Sequence, residues 1–183
     1  KKIYIPMPSE AHHADFPAQN SMELELVEFI KKFRKTGNVT NGDVLSGEGL
    51  ESIYLFLRKS GKFNETKFTK EIDKAKSKPE MISKYRRKDI ICRKTFEIFK
   101  IAYARFAKGC VLDSLSFGGL YISGGIAAKN QDIFDRQFIK EFEESQKMRK
   151  VLQKVPIYII LDYDAGLLGA GFAGAMMRIC HSL

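Results

Sequence analysis

The sequence predicts an α/β domain, helix-rich, with a short core sheet of two parallel strands. Two observations carry this. FGGLYISGGIAAKN (Phe117 to Asn130) and VPIYIILDYD (Val155 to Asp164) are short, apolar, β-rich runs separated by helical patterning. Between about Lys88 and Leu115, apolar residues recur at three- and four-residue steps over a length only a helix sustains. Strand, helix, strand, helix in one chain implies a sheet with helices packed around it. The 183 residues suffice for one domain with a hydrophobic core.

Taken in order, KKIYIP reads as a strand that ends at its prolines. Asn20-Ser21 caps a helix over MELELVEFIKKF, with Leu26, Phe29, Ile30 and Phe33 on one stripe, and Gly37-Asn38 stops it. VLSGEGLESIYLFLRK is an apolar entry, a glycine-broken turn, then a helix with Leu50, Ile53, Tyr54 and Leu57 inward. Residues 58–90 form a basic, weakly patterned excursion with one short helix, Thr66 to Ser77, expected to be mobile. The long helix that follows turns Ile91, Ile98, Ala102, Tyr103, Phe106, Cys110 and Val111 inward and is expected to be the central buried one. Helices at about Asp132–Glu144 and Ser145–Lys154 precede the second strand. AGLLGAGFAGAMMRICHSL closes the chain as a helix whose glycines are expected to form a small-residue packing face.

Composition excludes several classes. Hydrophobic residues make up 44% and charged residues 29%, as in ordinary globular chains. No apolar run approaches the roughly 20 residues a membrane span needs. No signal peptide is visible at the start, and the terminal HSL is a poor peroxisomal address. Cys92, Cys110 and Cys180 are odd in number and far apart, so reduced thiols in a cytoplasmic protein are expected. The net charge is +9, yet residues 58–108 alone carry 17 Lys/Arg against 6 Asp/Glu. A phosphate-binding patch would need an accompanying nucleic-acid motif, and none is present, so a solvated face is the expectation and nucleic acid is not an expected partner.

Two glycine runs bear on nucleotides. YISGGIA ends a strand in Gly124 and Gly125, where glycine permits positive φ and close backbone approach by a ligand; a plain tight turn is the alternative. Gly166, Gly169, Gly171 and Gly174 follow the second strand, but their spacing is not the GxGxxG fingerprint and no later strand can carry the acidic ribose partner, so NAD is rejected.

PSEAHHADF (Pro8 to Phe16) holds two carboxylates and two of the three histidines. It admits three readings. Glu10, His12 and His13 could ligate a metal, but HExxH spacing is missing and adjacent histidines usually diverge, so no metal site is expected. A polar loop is the second. The third is a polyol site: a carboxylate accepts hydrogen bonds from neighbouring hydroxyls and an imidazole adds one more.

PSEAHHADFPAQN resembles the sugar-binding segment of the bacterial-type glucokinases, whose pattern is Glu-Gly-Gly-His-x-Asp-Phe. In the same order VLSGEGLESIY, FGGLYISGGIAAKN and PIYIILDYDAGLLGAG resemble further motifs of that family, over nearly the whole chain. The cysteine-rich zinc motif of the related repressor/kinase group is absent. The resemblance implies a ribonuclease H-like domain of the actin/hexokinase type, the C-terminal glucokinase domain spanning 1–183. It implies ATP-dependent, Mg2+-supported phosphorylation of glucose, with glucose and ATP as ligands. Glu10 and His13 fall on sugar contacts, Gly124 and Gly125 on the turn near adenosine, and Asp15 on loop support. Ser46 and Gly47 lie in a nearby turn with no assigned role.

There are departures from the pattern. Ala11 and His12 stand where the family has two glycines. Gly42 stands where it has a second sugar-binding glutamate; either adjacent Asp43 substitutes or that contact is missing. No phosphate loop, magnesium site or catalytic base of the family is found in this chain, so no catalytic residue is expected in it, and negligible turnover is expected of it alone. The alternatives are a non-catalytic sugar-sensing or regulatory protein on the same scaffold, and a basic nucleic-acid module. The basic insertion marks either an unusual lineage or an oligomer contact, which leaves a homodimer open.

Overall fold

A computed structural model describes residues 7–180, with side chains up to residue 176. The strand expected at KKIYIP lies outside the described residues. A 3-10 turn at Ala11–His13 leads to α1 (Ser21–Arg34), α2 (Asn41–Val44), α3 (Gly47–Lys59), α4 (Lys67–Lys74), α5 (Lys78–Tyr85) and α6 (Ile90–Ser114). Then come β1 (Leu120–Ile122), α7 (Gly125–Lys129), α8 (Arg136–Glu143), α9 (Arg149–Leu152), β2 (Ile157–Ile159) and α10 (Ala165–Cys180). The strands pair in parallel, Tyr121 opposite Tyr158, as the two apolar runs predict. Ile122 turns into the core while Tyr121 and Tyr158 stack on the other face, ring centroids 4.9 Å apart.

Helix starts follow their capping residues. The Asn20 side chain accepts from the Glu23 amide at 2.9 Å, and Asp89 does the same for Cys92 at the start of α6. Thr40 and Asp43 form a reciprocal capping box that starts α2, a helix the hydrophobic pattern does not reveal because it is one turn long. α1 ends earlier than Gly37: Lys35 takes the left-handed conformation with φ 55°, a C-cap that glycine would have signalled.

α6 runs through both cores, as expected of the central helix. Its first half packs Ile91, Phe96 and Phe99 against Leu26 and Ile30 of α1 and Ile53, Tyr54 and Leu57 of α3. Its second half packs Ala104, Ala107 and Val111 against Ile122, Phe138, Phe142 and Leu152. Phe99 is fully buried, whereas the expected inward residues Ile98, Tyr103, Phe106 and Cys110 are only half-buried.

Three expectations are corrected. The basic segment carries two helices, α4 and α5, rather than one, and its Ile72, Ile82 and Tyr85 join the main core. Phe68 and Ile72, four residues apart on α4, give it one apolar edge that packs on the core, with Ile82 and Tyr85 of α5 beside it. The helices expected before β2 are shorter: a 3-10 turn at Gln131–Ile133 precedes α8, which starts at Arg136 with Asp135 as its N-cap, and α9 is a single turn. Among the described residues the α10 glycines meet no packing partner: a Cβ at Gly166, Gly169, Gly171 or Gly174 would meet no described atom within 4 Å, and Leu167 and Leu168 are exposed.

Candidate functional site

The opening motif becomes a pinned turn. Glu10 precedes the 3-10 turn, and the His13 amide donates to the Glu10 carbonyl at 2.9 Å. In 3-10 geometry side chains at i and i+3 eclipse, which puts Glu10 and His13 on one side. Glu10 Oε2 lies 3.6 Å from His13 Nε2 and 3.8 Å from His12 Nδ1. The turn is tied down behind. Ala14 O accepts from both the backbone amide and the Nδ2 of Asn41, at 2.9 and 3.0 Å. Asp15 pairs with Thr40 in an antiparallel bridge, and Phe16 N donates to Val39 O at 2.9 Å. Asp15 supports the loop through its Oδ1, which accepts from Asn38 Nδ2 at 3.1 Å.

The expected divergence of adjacent histidines does not occur. The His12 and His13 ring centroids are 3.8 Å apart, tilted by 41°. The reason lies in α2. Gly42 has no Cβ; one built there would come 3.1 Å from His12 Cδ2. The His12 ring therefore lies close over Gly42, where a Cβ would make it give way by a few tenths of an ångström.

His12, His13, Asp43 and Ser46 line an open cleft of about 460 Å³, with Tyr103 and Phe106 of α6 as its apolar wall. Those two aromatics read from sequence only as members of the helical stripe; nothing in the local pattern marks them as cleft residues. Asp43 faces this cleft, but its Oδ2 accepts from both the amide and the hydroxyl of Thr40 at 2.8 Å, so the carboxylate is partly committed to the cap. Glu10, His12 and His13 are all exposed.

A second cleft, of about 520 Å³, lies on the other side of the α3 start. Gly47, Ser83, Gly125, Lys129 and Asn130 are among its walls. Gly124 adopts φ +107° between β1 and α7, a conformation that side chains rarely take, so the first glycine of the strand-ending pair meets a backbone need. Asn130 is buried; its Nδ2 donates to Ile126 O and its Oδ1 accepts from Ser83 Oγ at 2.6 Å, which ties α5 to the α7 turn. Ser46 lines the first cleft and Gly47 the second, and the Ser46 hydroxyl caps α3 by accepting from Gly49 N at 3.0 Å. The turn left without a role by sequence is the partition between the two clefts.

Arg105 braces the floor beneath the opening loop. Its Nη1 donates to both carboxylate oxygens of buried Glu23, at 2.8 and 3.0 Å, and its Nε to Glu141 at 2.5 Å. Glu23 also accepts from Gln19 N at 2.7 Å. One guanidinium thus joins α1, α6 and α8.

No helix among the described residues is long and apolar enough to cross a membrane. The family model described as Glucokinase matches residues 1–177. A glucokinase of Nostoc punctiforme is 30% identical, over 95% of this chain and 55% of the relative. A glucokinase of Synechocystis is 29% identical, over 91% and 51%. Among solved structures, the glucokinase of an Antarctic psychrotroph superposes with a TM-score of 0.70 at 21% identity, covering 89% of this chain and 48% of that one. The Balamuthia mandrillaris glucokinase in complex with glucose gives 0.68 at 19% identity, covering 84% and 42%. The chain spans about half the length of the relatives it matches. The chain belongs to the glucokinase family, matching the C-terminal part of its bacterial-type members.

Proposed function

We propose that this chain supplies the glucose contacts and one wall of the adenosine pocket of an ATP-dependent kinase forming glucose 6-phosphate, on a ribonuclease H-like domain of the actin/hexokinase type. One observation carries the reading: His12 and His13 line one cleft and Gly125 lines a second, with Ser46 in the wall of the first and its neighbour Gly47 in the wall of the second, while Glu10 stands beside His13 at 3.6 Å. A phosphoryl donor in one cleft and its acceptor in the other is the arrangement that transfer requires. The glucose complex of the Balamuthia relative supports the choice of sugar.

In this reading the Glu10 carboxylate accepts from neighbouring sugar hydroxyls. His13 contributes one further hydrogen bond toward the anomeric side, and Asp43 offers the part of its carboxylate not bound to Thr40. Tyr103 and Phe106 give the sugar ring an apolar surface. These groups orient the 6-hydroxyl and exclude water; they do not move its proton. ATP supplies the phosphoryl group when bound, and the second cleft fits its adenosine: glycine walls allow close approach, and Asn130 and Lys129 flank them. Magnesium does not fit there, because Glu80 is the only carboxylate among the lining residues, and no step is assigned to it. The phosphate loops and the base seen in the family pattern are not in this sequence, so the 183-residue chain alone is expected to turn over negligibly.

Calorimetry with glucose tests the assignment. Saturable binding to the chain, weakened at least about tenfold by Glu10→Ala or His13→Ala, is expected. Binding that either substitution leaves unchanged would overturn it.

A further inference from the structure

We propose that Glu10, His12 and His13 form a binding site for Zn2+ or a similar borderline divalent transition metal, and that the metal and the sugar exclude one another. The three side chains each present one donor atom, and these atoms lie within 4.8 Å of one another. Two of the separations, from Glu10 Oε2 to His13 Nε2 and to His12 Nδ1, are 3.6 and 3.8 Å. Around a tetrahedral Zn2+ with bonds near 2.0–2.1 Å, neighbouring donors sit about 3.4 Å apart, so modest rotations of exposed side chains close the set. Two imidazoles and one carboxylate match the softness of Zn2+, Co2+, Ni2+ or Cu2+, not the all-oxygen demand of Mg2+ or Ca2+. Exposure leaves the fourth position to water.

The cluster depends on two features far apart in sequence. The 3-10 turn eclipses Glu10 and His13, and the missing side chain at Gly42 leaves room for the His12 ring to lie beside His13. Asn41, next to Gly42, pins the far end of the turn by two bonds to Ala14 O, so the backbone that carries the donors is fixed while their exposed side chains rotate onto the ion. A turn whose backbone is already fixed loses less freedom on binding.

Mutual exclusion rests on the assignment of Glu10 and His13 to the sugar. A metal would engage both groups and put an ion and its water at the mouth of the first cleft. A bound hexose would in turn occupy the oxygen and nitrogen that the metal needs.

The test uses untagged, chelator-treated chain titrated with ZnCl2 by calorimetry, with CoCl2 absorption as a second readout of a tetrahedral site. One saturable site is expected, weakened at least about 30-fold by His12→Gly and by Glu10→Gln, with circular dichroism verifying that both variants fold. No saturable site, or affinity unchanged in folded His12→Gly, overturns the metal site; a site at the cysteines would show itself in that second way. Repeating the Zn2+ titration in saturating glucose is expected to lower the apparent affinity. Unchanged Zn2+ affinity while glucose still binds overturns the exclusion alone. Failure of the metal-free chain to bind glucose overturns the sugar assignment, and the exclusion with it, and leaves the metal result standing.

Discussion

His12 lies over Gly42 closely enough that a Cβ at position 42 would come within 3.1 Å of its Cδ2 and 3.4 Å of its carbonyl oxygen. The ring and the glycine are therefore coupled. Gly42→Ala keeps an ordinary backbone, and in the one-turn α2 the better helix former offsets part of any crowding, by up to about 1 kcal/mol. The substitution is expected to leave the melting temperature within a few degrees while pushing the exposed His12 ring outward. Zn2+ affinity should then fall about tenfold with little loss of stability. A Gly42→Ala chain that binds Zn2+ like the parent would show that the ring finds its place without the gap.

Gly49 is different in kind. A Cβ there would fall 2.1 Å from Val44 O and 2.4 Å from Val44 C, both backbone atoms. The turn between α2 and α3, which forms the partition of the two clefts, closes only around a residue without a side chain. Gly49→Ala is expected to cost about 3 kcal/mol, a fall of roughly 6–12 °C in melting temperature for a chain this size. Thermal unfolding followed by circular dichroism measures it. A shift under about 2 °C would mean that the α3 start can move aside.

Tyr54 carries the opposite sign. It is fully buried, and its hydroxyl has no hydrogen-bond partner among the described residues. Burial, reinforced by the nearby Cys92 and Asp89, raises its pKa, so it stays neutral, but a neutral hydroxyl still needs a partner. Tyr54→Phe is expected to be neutral or to stabilise by about 1 kcal/mol, read from urea unfolding. A loss above about 1 kcal/mol would reveal a bound water serving that hydroxyl.

Arg105 and Glu23 form the most consequential ion pair, because Glu23 is only 3% exposed and its partner also holds Glu141. Removing one partner strands a buried charge. Arg105→Ala, which leaves the Glu23 carboxylate buried without its cation, is expected to cost about 3–5 kcal/mol, while replacing both residues with apolar ones of similar volume costs far less than the two singles combined. A double-mutant cycle by denaturant unfolding decides this. Additive losses would mean that the pair contributes no coupling.

Much of this architecture is written in local patterns, and the exceptions share one cause. α1, α3, α6 and the two strands are legible because a long or strongly alternating apolar period repeats within each. α2 is too short to have a period, although Thr40-x-x-Asp43 is a capping-box signal that would have found it. The core role of Ile82 depends on what α5 meets, not on its own sequence. At the site, the Glu10–His13 spacing is readable. The placing of His12 is not, because it is set by a glycine in another segment. The partition at Ser46 and Gly47 is visible only once α3 and the α7 turn stand on either side of it.

Asp135 gives the acid limb of stability a defined origin. Its burial alone would raise the carboxyl pKa. Lys100 Nζ at 2.8 Å and the amides of Phe138 and Gln137, at 3.0 and 2.9 Å, outweigh that and hold it below the ordinary aspartate value. A carboxyl depressed in the folded state adds stability that is complete above its unfolded pKa, about 3.9, and is lost as pH falls through the lower folded value. Asp135→Asn keeps a good N-cap for α8 but cannot pair with the nearly buried Lys100 as an anion. The variant is therefore expected to be less stable than the parent at pH 7, with the difference shrinking below about pH 4 as the parent's own carboxyl takes up its proton. Urea unfolding at pH 7, 4 and 2.5 measures the gap directly. A difference that stays constant across that range would assign the contribution of Asp135 to capping geometry, with none from its charge.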